Sequence, residues 1–379
     1  IGGDTAGALS FGVPSKRADW TYTPLTDFYE TDDPELALER HFEDLAQRPF
    51  LVGEEGVRLS LAGGQKKTAL AVLGPDGDPV LRLPQQGDVL AVPRHGAPST
   101  IILKPDNPVL PGIVENETYC LRLAQAIGIV STETTILPAG PRKAICVLRY
   151  DRRIGRDGDL QRVHQEDFAQ ASSVPPGRKY ERGTVAGPSL AALLAMGNQL
   201  PSSDALALLD QLIFNILVAN TDAHAKNYSL LLPVAEGPGL APLYDVSTVL
   251  SWPRVVQYFA QNIAGKKRKP GDVGARHWDA IAETVGYRPS FWGQINVRCW
   301  VSGQSRSTLS RAVYSLGKQT DCYASDNIDA IRASAWAVRF ASLLISPPGK
   351  ALVSAGSAIG NEPPCVIIKN IVRSAAMLI

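Results

Sequence analysis

The sequence predicts an α+β fold in two lobes, a strand-rich N-lobe followed by a helical C-lobe. Three observations predict it. Up to about residue 153 the apolar runs are short and end in turn residues: "KTALAVL", "STIILKP" and "KAICVLRYDRR". Beyond that point they lengthen and take helical spacing: "SLAALLAM" and "DALALLDQLIFNILVAN". Runs of strands followed by runs of helices suit segregated layers over a shared cleft. The third is composition. With 379 residues, 45% hydrophobic and 20% charged, the chain can bury a large core.

The elements follow in order. "DPELALERHFEDLAQR" (33–48) has apolar residues at helical spacing with acids early, so an amphipathic helix is expected. "KTALAVL" and "DGDPVLRL" read as two strands joined by a turn at Gly74 to Gly77. "STIILKP" (99–105) is a strand ended by Pro105. "ENETYCLRLAQAIGI" (115–129) reads as a helix, with Asn116 as its cap and Gly128 as its stop. "KAICVLRYDRR" (143–153) is a strand that turns polar abruptly, and the lobe boundary is expected at Tyr150 to Arg153. The run from Ala205 to Val218 is apolar nearly all round and should be buried. "YSLLL" (228–232) is a short strand. Three regions result: 1–149, 150–290, and a divergent or poorly ordered tail at 291–379, with helical spacing only between Asp326 and Leu344.

Composition also excludes classes. A net charge of +1 gives no global field for nucleic acid or an anionic membrane. No apolar stretch reaches the ~18 residues of a spanning helix. The start "IGGDTAGALS" lacks a signal-peptide pattern and the first methionine is Met196, so the chain reads as a fragment or trimmed product. Five dispersed cysteines without a CxxC pair read as reduced thiols in a cytoplasmic protein.

The chemistry concentrates in "TDAHAKNYSL" (221–230), at the end of the apolar run. Asp222 and Asn227 lie five residues apart, between a buried helix and a short strand, and Asp245 in "APLYDVS" follows 18 residues later. Phosphoryl transfer from Mg-ATP needs such a set. One Asp orients or deprotonates the attacking hydroxyl, and an Asn with a second Asp holds Mg²⁺ through hard oxygens. The protein-kinase catalytic loop has the same spacing from Asp to Asn. Taken singly, Asp222 is also readable as a helix-end cap and Asn227 as a turn residue. A phosphate-anchoring lysine is expected at Lys104, the one charge on its strand, although an edge-strand lysine would look the same. The loop candidate is "LSLAGGQKKTALAV": Gly63 and Gly64 allow close backbone approach, and Lys66, Lys67 and Thr68 add charge and donors. It is not a Walker A loop, since Lys66 stands where the second Gly belongs. A His-centred metal site through Asp222 and His224 is the rival chemistry, but His41, His95, His164 and His277 are scattered.

The ordered set "LSLAGGQKKTAL", "IILKP", "NETYCLRLAQAIGI", "LRYDRR", "HQEDFAQ", "RKYERGTVAGPSL", "NTDAHAKNYSL", "LAPLYDVS" and "IAGKKRKPGDVGARHW" resembles HipA-like serine/threonine kinases, the toxins of bacterial type II toxin–antitoxin systems. The resemblance implies a two-lobed fold related to protein and phosphoinositide kinases. It implies Asp222 as catalytic base, Asn227 and Asp245 as Mg²⁺ ligands, and Lys104 as the ATP-phosphate lysine. Ala62, Gly63, Gly64, Gln65, Lys66 and Lys67 would form the phosphate loop. Leu148, Arg149 and Tyr150 would be a hinge meeting adenine through its backbone, with His224 and Tyr244 lining the nucleotide site. Ser60 matches the serine that family members autophosphorylate. Glu117, on the helix after Lys104, would pair with that lysine as in protein kinases. Implied partners are a helix-turn-helix, HipB-like antitoxin, operator DNA held mainly through it, and a protein substrate of the aminoacyl-tRNA synthetase kind. Three departures stand out. The family's N-terminal subdomain is largely missing and is expected on a separate protein or a longer chain, Leu148 replaces an acidic hinge residue, and the tail after about residue 290 does not match. Two other classes remain open: an inactive operon-regulating binding module, and a small-molecule kinase of the same fold.

Overall fold

The computed structural model describes residues 4–9, 17–47, 59–60, 66–181, 185–273 and the single positions 277, 280, 281 and 283. The expected glycines of the phosphate loop, the segment Asp326 to Leu344 and the whole tail fall outside these described residues.

The first half holds strands β1 (Asp4–Thr5), β2 (Thr21–Pro24), β3 (Leu59–Ser60), β4 (Thr68–Leu73), β5 (Pro79–Val80), β6 (Val89–Arg94), β7 (Ile101–Pro105), β8 (Thr134–Ala139) and β9 (Arg142–Leu148). Its helices are α1 (Leu25–Phe28), α2 (Pro34–Gln47) and α3 (Ile113–Ala126). Strands β2, β6, β4, β7, β9 and β8 pair in that order into an antiparallel sheet, with β5 added on β4. Every residue of β4 is buried, as befits its central place. On one face α2 lays Ala37, Leu38, Phe42 and Leu45 against Leu70, Val72, Ile101 and Leu103. Each of these Leu, Val, Ile and Phe side chains, fully buried, contributes roughly 1.5–3 kcal/mol.

One polar side chain of α2, His41, is buried. His41 Nε2 lies 3.0 Å from Thr68 Oγ1 and Nδ1 lies 3.1 Å from the Tyr29 hydroxyl. Burial pushes its pKa down to about 4, against a smaller opposing pull from Asp44. The folded state therefore binds fewer protons here than the unfolded chain. This stability is fully present above about pH 6.5 and is lost as pH falls toward 4, a change on the order of 3 kcal/mol. Urea unfolding at neutral pH and near pH 4.5 should show the loss, and His41→Asn should flatten the slope. Equal slopes in the two proteins would refute the assignment.

Some elements differ from expectation. The second strand of the 68–83 hairpin stops at Val80, because Arg82 folds back onto Asp88, with Nη2 donating to Oδ1 at 2.8 Å. Helix α3 starts at Ile113 behind Gly112, whose φ of 80° suits a glycine, so Asn116 is not its cap. Asn116 is instead buried and bonded to Thr248 in both directions: its Nδ2 donates to Thr248 O at 3.1 Å, and Thr248 N–H donates to its Oδ1 at 2.9 Å. Gly128 does follow the helix end, at φ 87°. Strand β9 ends at Leu148, before the expected Arg153, because Arg149 turns inward to Asp151, Ser99 and Thr5.

The second half contains β10 (Arg152–Ile154) paired with β11 (Leu160–Arg162), then β12 (His164–Asp167), α4 (Phe168–Ala171), α5 (Leu190–Ala195), α6 (Ser202–Leu217), β13 (Ser229–Leu232) and β14 (Gly239–Leu240). Strands β12, β13 and β14 form a small antiparallel sheet. Helix α6 is exposed at Ser202 and Ser203, half-buried from Asp204 to Ala207 and buried from Leu208 onward, apart from half-buried positions such as Asp210 and Ile216. It joins Phe168, Leu193, Tyr228, Leu243 and Val246 in one core, to which α3 adds Val114, Leu121 and Ala124. Helix α3 thus belongs to the packing of both halves, which fixes the cleft between β7 and the segments after α6.

Candidate active site

Lys104 stands next to last in β7, opposite Ile145 of β9, and its side chain enters the cleft. Its ammonium donates to Glu117 Oε1 at 2.6 Å and to Asp245 Oδ1 at 2.8 Å. Glu117 comes from α3 and Asp245 from the segment after β14, so one lysine ties three elements together. The Lys104 and Glu117 side chains are almost closed off, 8% and 3% exposed, whereas Asp245 keeps 40%. Burial alone would lower the Lys104 pKa, but the two carboxylates outweigh it and raise it. Burial alone would raise Asp245, yet Lys104 and then Lys67 hold it well below the usual carboxylate range. Glu117 goes the other way: burial pushes it up, and Lys104 offsets this only in part. Burial and the like charge of Lys104 lower Lys67. Lys67 therefore faces this cluster, while Lys66 is exposed.

Downstream of α6 the chain turns through Ala219 at φ 59° and runs into the Asp222 segment, which closes in a 3-10 turn, Ala225–Asn227. Asn227 N–H donates to His224 O at 2.9 Å and its amide Nδ2 donates to Asp222 O at 3.0 Å. The amide nitrogen is thereby committed to the loop, and the amide oxygen lies on the other side. Asn220 connects this loop to Asp245. Its Oδ1 accepts from Asp222 N–H at 3.2 Å, and its Nδ2 donates to Asn215 Oδ1 at 2.8 Å and to Asp245 O at 3.5 Å. Asp245 itself sits at φ 56°, a left-handed conformation uncommon outside glycine and held here by its surroundings. Asn220 carried no signal in the sequence beyond standing two residues before Asp222.

His224 is buried, and burial lowers its pKa despite the opposing charge of Asp222. Its Nδ1 is buried without a hydrogen-bond partner, a polar atom left for something in the cleft. Below it, Tyr244 donates to Lys226 O at 2.9 Å, lies 2.6 Å from Ser229 Oγ and stacks on Tyr150 at 5.4 Å between centroids. The expected hinge residues separate here. Tyr150 reaches the site through Tyr244, whereas the Arg149 side chain points away into its own ion pairs. The N–H groups of Leu148 and Arg149 are engaged by Glu133 O and Thr100 O. Ser60 is described only through its backbone, paired with Thr5.

Asn227 and Asp245 carry hard oxygen donors, a type that suits magnesium better than a transition metal. Among the described residues, no group of three His, Cys, Asp or Glu side chains could hold a metal ion. Nor is any helix among them long and apolar enough to cross a membrane.

A half-open sheet over a helical half, with a lysine–glutamate pair and a polar loop in the cleft, defines a two-lobed, kinase-like fold. The chain matches the HipA-like C-terminal domain over residues 59–303, and it belongs to that family. It is 39% identical over 289 residues to a Sinorhizobium fredii protein named "Putative kinase Y4mE", covering 76% of this chain and 64% of that one. It is 30% identical over 298 residues to the serine/threonine-protein kinase toxin HipA of Shewanella oneidensis, covering 76% and 63%. The chain thus spans somewhat under two thirds of the length of these two relatives. A solved complex of Shewanella oneidensis HipA with HipB and operator DNA superposes with a TM-score of 0.63 at 24% identity, covering 91% of this chain and 76% of that one, and shows the same fold.

Proposed function

We propose that this chain is the catalytic part of an ATP- and Mg²⁺-dependent serine/threonine protein kinase of HipA type. The observation that supports it best is Lys104 bridging Glu117 and Asp245 beside a loop in which Asn220 joins Asp222 to Asp245. Magnesium, when bound, would neutralise charge building on the transferred phosphate. Asn227 and Asp245 would hold it, and Lys104, Lys67 and the 62–67 backbone would position the phosphates. Asp222 takes the proton of the acceptor hydroxyl, or orients that hydroxyl, as the phosphoryl group leaves ATP. Tyr150, Tyr244 and His224 line the nucleotide side. Ser60 is the autophosphorylation site in this reading, where about two negative charges would be added near the phosphates.

Membership of the family and the named complex of a relative with HipB and operator DNA support a HipB-like antitoxin as partner. DNA would then be held mainly through it, in keeping with a net charge of +1. The protein substrate is of the aminoacyl-tRNA synthetase kind, and the location cytoplasmic. With γ-labelled ATP, label should reach an added synthetase and Ser60, and a chelator should abolish transfer. Label on a metabolite pool and on no protein would replace this reading with a small-molecule kinase. No label anywhere would leave a binding module.

A further inference from the structure

Residues 178–181 and 185–187, two stretches bonded to each other, form a strap beside the Asp222 loop. The two sides of the strap are drawn together at its neck. Gly187 N–H donates to Tyr180 O at 2.9 Å, and Arg178 donates twice to Ala186 O, at 3.1 and 2.7 Å. A Cβ at Gly187 would lie 1.8 Å from Arg178 O, so the neck closes only with glycine. On one side the strap is fastened to the loop, since Ala225 N–H donates to Lys179 O at 3.3 Å. On the other, both Glu181 carboxylate oxygens accept from Asn262, at 2.7 and 2.9 Å. Held at both sides, Tyr180 places its ring edge-on to His224, 5.1 Å between centroids, and its hydroxyl donates to Asp222 Oδ1.

The backbone of Asp222 is pinned by Asn220 and Asn227, but its side chain is exposed and its terminal torsion is intrinsically broad. Among the described residues, no side chain other than Tyr180 hydrogen-bonds this carboxylate. We propose that Tyr180 is the positioning residue of Asp222: the phenol holds Oδ1 and so presents Oδ2 to the acceptor hydroxyl. The inference rests on the role of Asp222 given above and adds the group that sets its geometry. Fixing a reacting group near its productive orientation is a large lever on rate and a small one on ground-state binding.

Tyr180→Phe keeps the ring and its contact with His224 and removes only the hydroxyl. In the full chain, kcat with a protein acceptor should fall about tenfold, with KM for ATP and the melting temperature unchanged. Asp222→Asn is measured alongside. If Asp222→Asn is inactive while Tyr180→Phe keeps wild-type kcat or exceeds it, this inference is overturned and the kinase reading stands. A matching fall in melting temperature or ATP affinity would make Tyr180 a merely structural residue and also overturn it. An inactive wild type, or an active Asp222→Asn, overturns both.

Discussion

Asp222→Asn should lower phosphoryl transfer by about 10²–10⁴-fold while ATP affinity stays unchanged. The local structure makes this a clean test. The loop is held through the backbone of Asp222: its N–H goes to Asn220 and its carbonyl accepts from Asn227. Replacing the carboxylate by an amide leaves both bonds in place. What is lost is a group able to accept the acceptor's proton, and that matters only as the hydroxyl attacks. Single-turnover transfer of labelled phosphate, with ATP binding followed by calorimetry, separates the two effects. Full activity in the variant would refute the proposed role.

Lys104→Ala should cost roughly 3–5 kcal/mol of stability and weaken nucleotide binding. The lysine is the shared counter-ion of two carboxylates, and Glu117 has almost no access to water that could replace it. An unpaired buried carboxylate relieves itself by taking up a proton. Burial already raises the Glu117 pKa with the lysine present, and removing the lysine raises it further. A folded-state pKa above the unfolded one contributes stability at low pH that disappears as pH rises. The variant should therefore be least handicapped in mild acid and most handicapped near neutrality. Adding Glu117→Gln should restore part of the stability but none of the ATP affinity. Denaturation curves at two pH values and a titration with ATP give both answers, and an unchanged ATP affinity would count against the proposed lysine role.

Lys104 was legible as the lone charge of its strand, whereas Glu117 shares its helix with Glu115 and Arg122 and was expected to pair with Lys104 only from the resemblance. Asp222, Asn227 and Asp245 stood out as a trio by spacing and residue type; in the structure Asn220 hydrogen-bonds the backbone of both Asp222 and Asp245, and the roles of the three are those proposed above. Other features left no local trace. Asn116 looked like a cap because Asn precedes Glu at a helix start. Its real partner, Thr248, lies 132 positions away. Tyr180 is 42 positions from Asp222, and a single tyrosine in a Gly-rich segment has no periodicity to betray it. Strand β12, "HQED", carries no apolar alternation because the pairing of its backbone with β13 defines it, not the burial of one face. Short-range pattern thus locates elements and candidate chemistry, while contacts that depend on chain closure appear only in three dimensions.

The reciprocal bonds between Asn116 and Thr248 carry one more consequence. They rivet α3, one residue before Glu117, to the stretch that follows Asp245. Swinging that helix outward is one way kinases are switched off. Here such a swing would break two sequestered amide bonds, at roughly 1–3 kcal/mol for each group stranded. It would also split the lysine from its glutamate. An on–off cycle built on helix displacement is therefore expensive for this scaffold. In the kinase proposed here, turnover would more readily be governed from the rim, by whatever covers the cleft or delivers an acceptor to it, while the interior stays assembled.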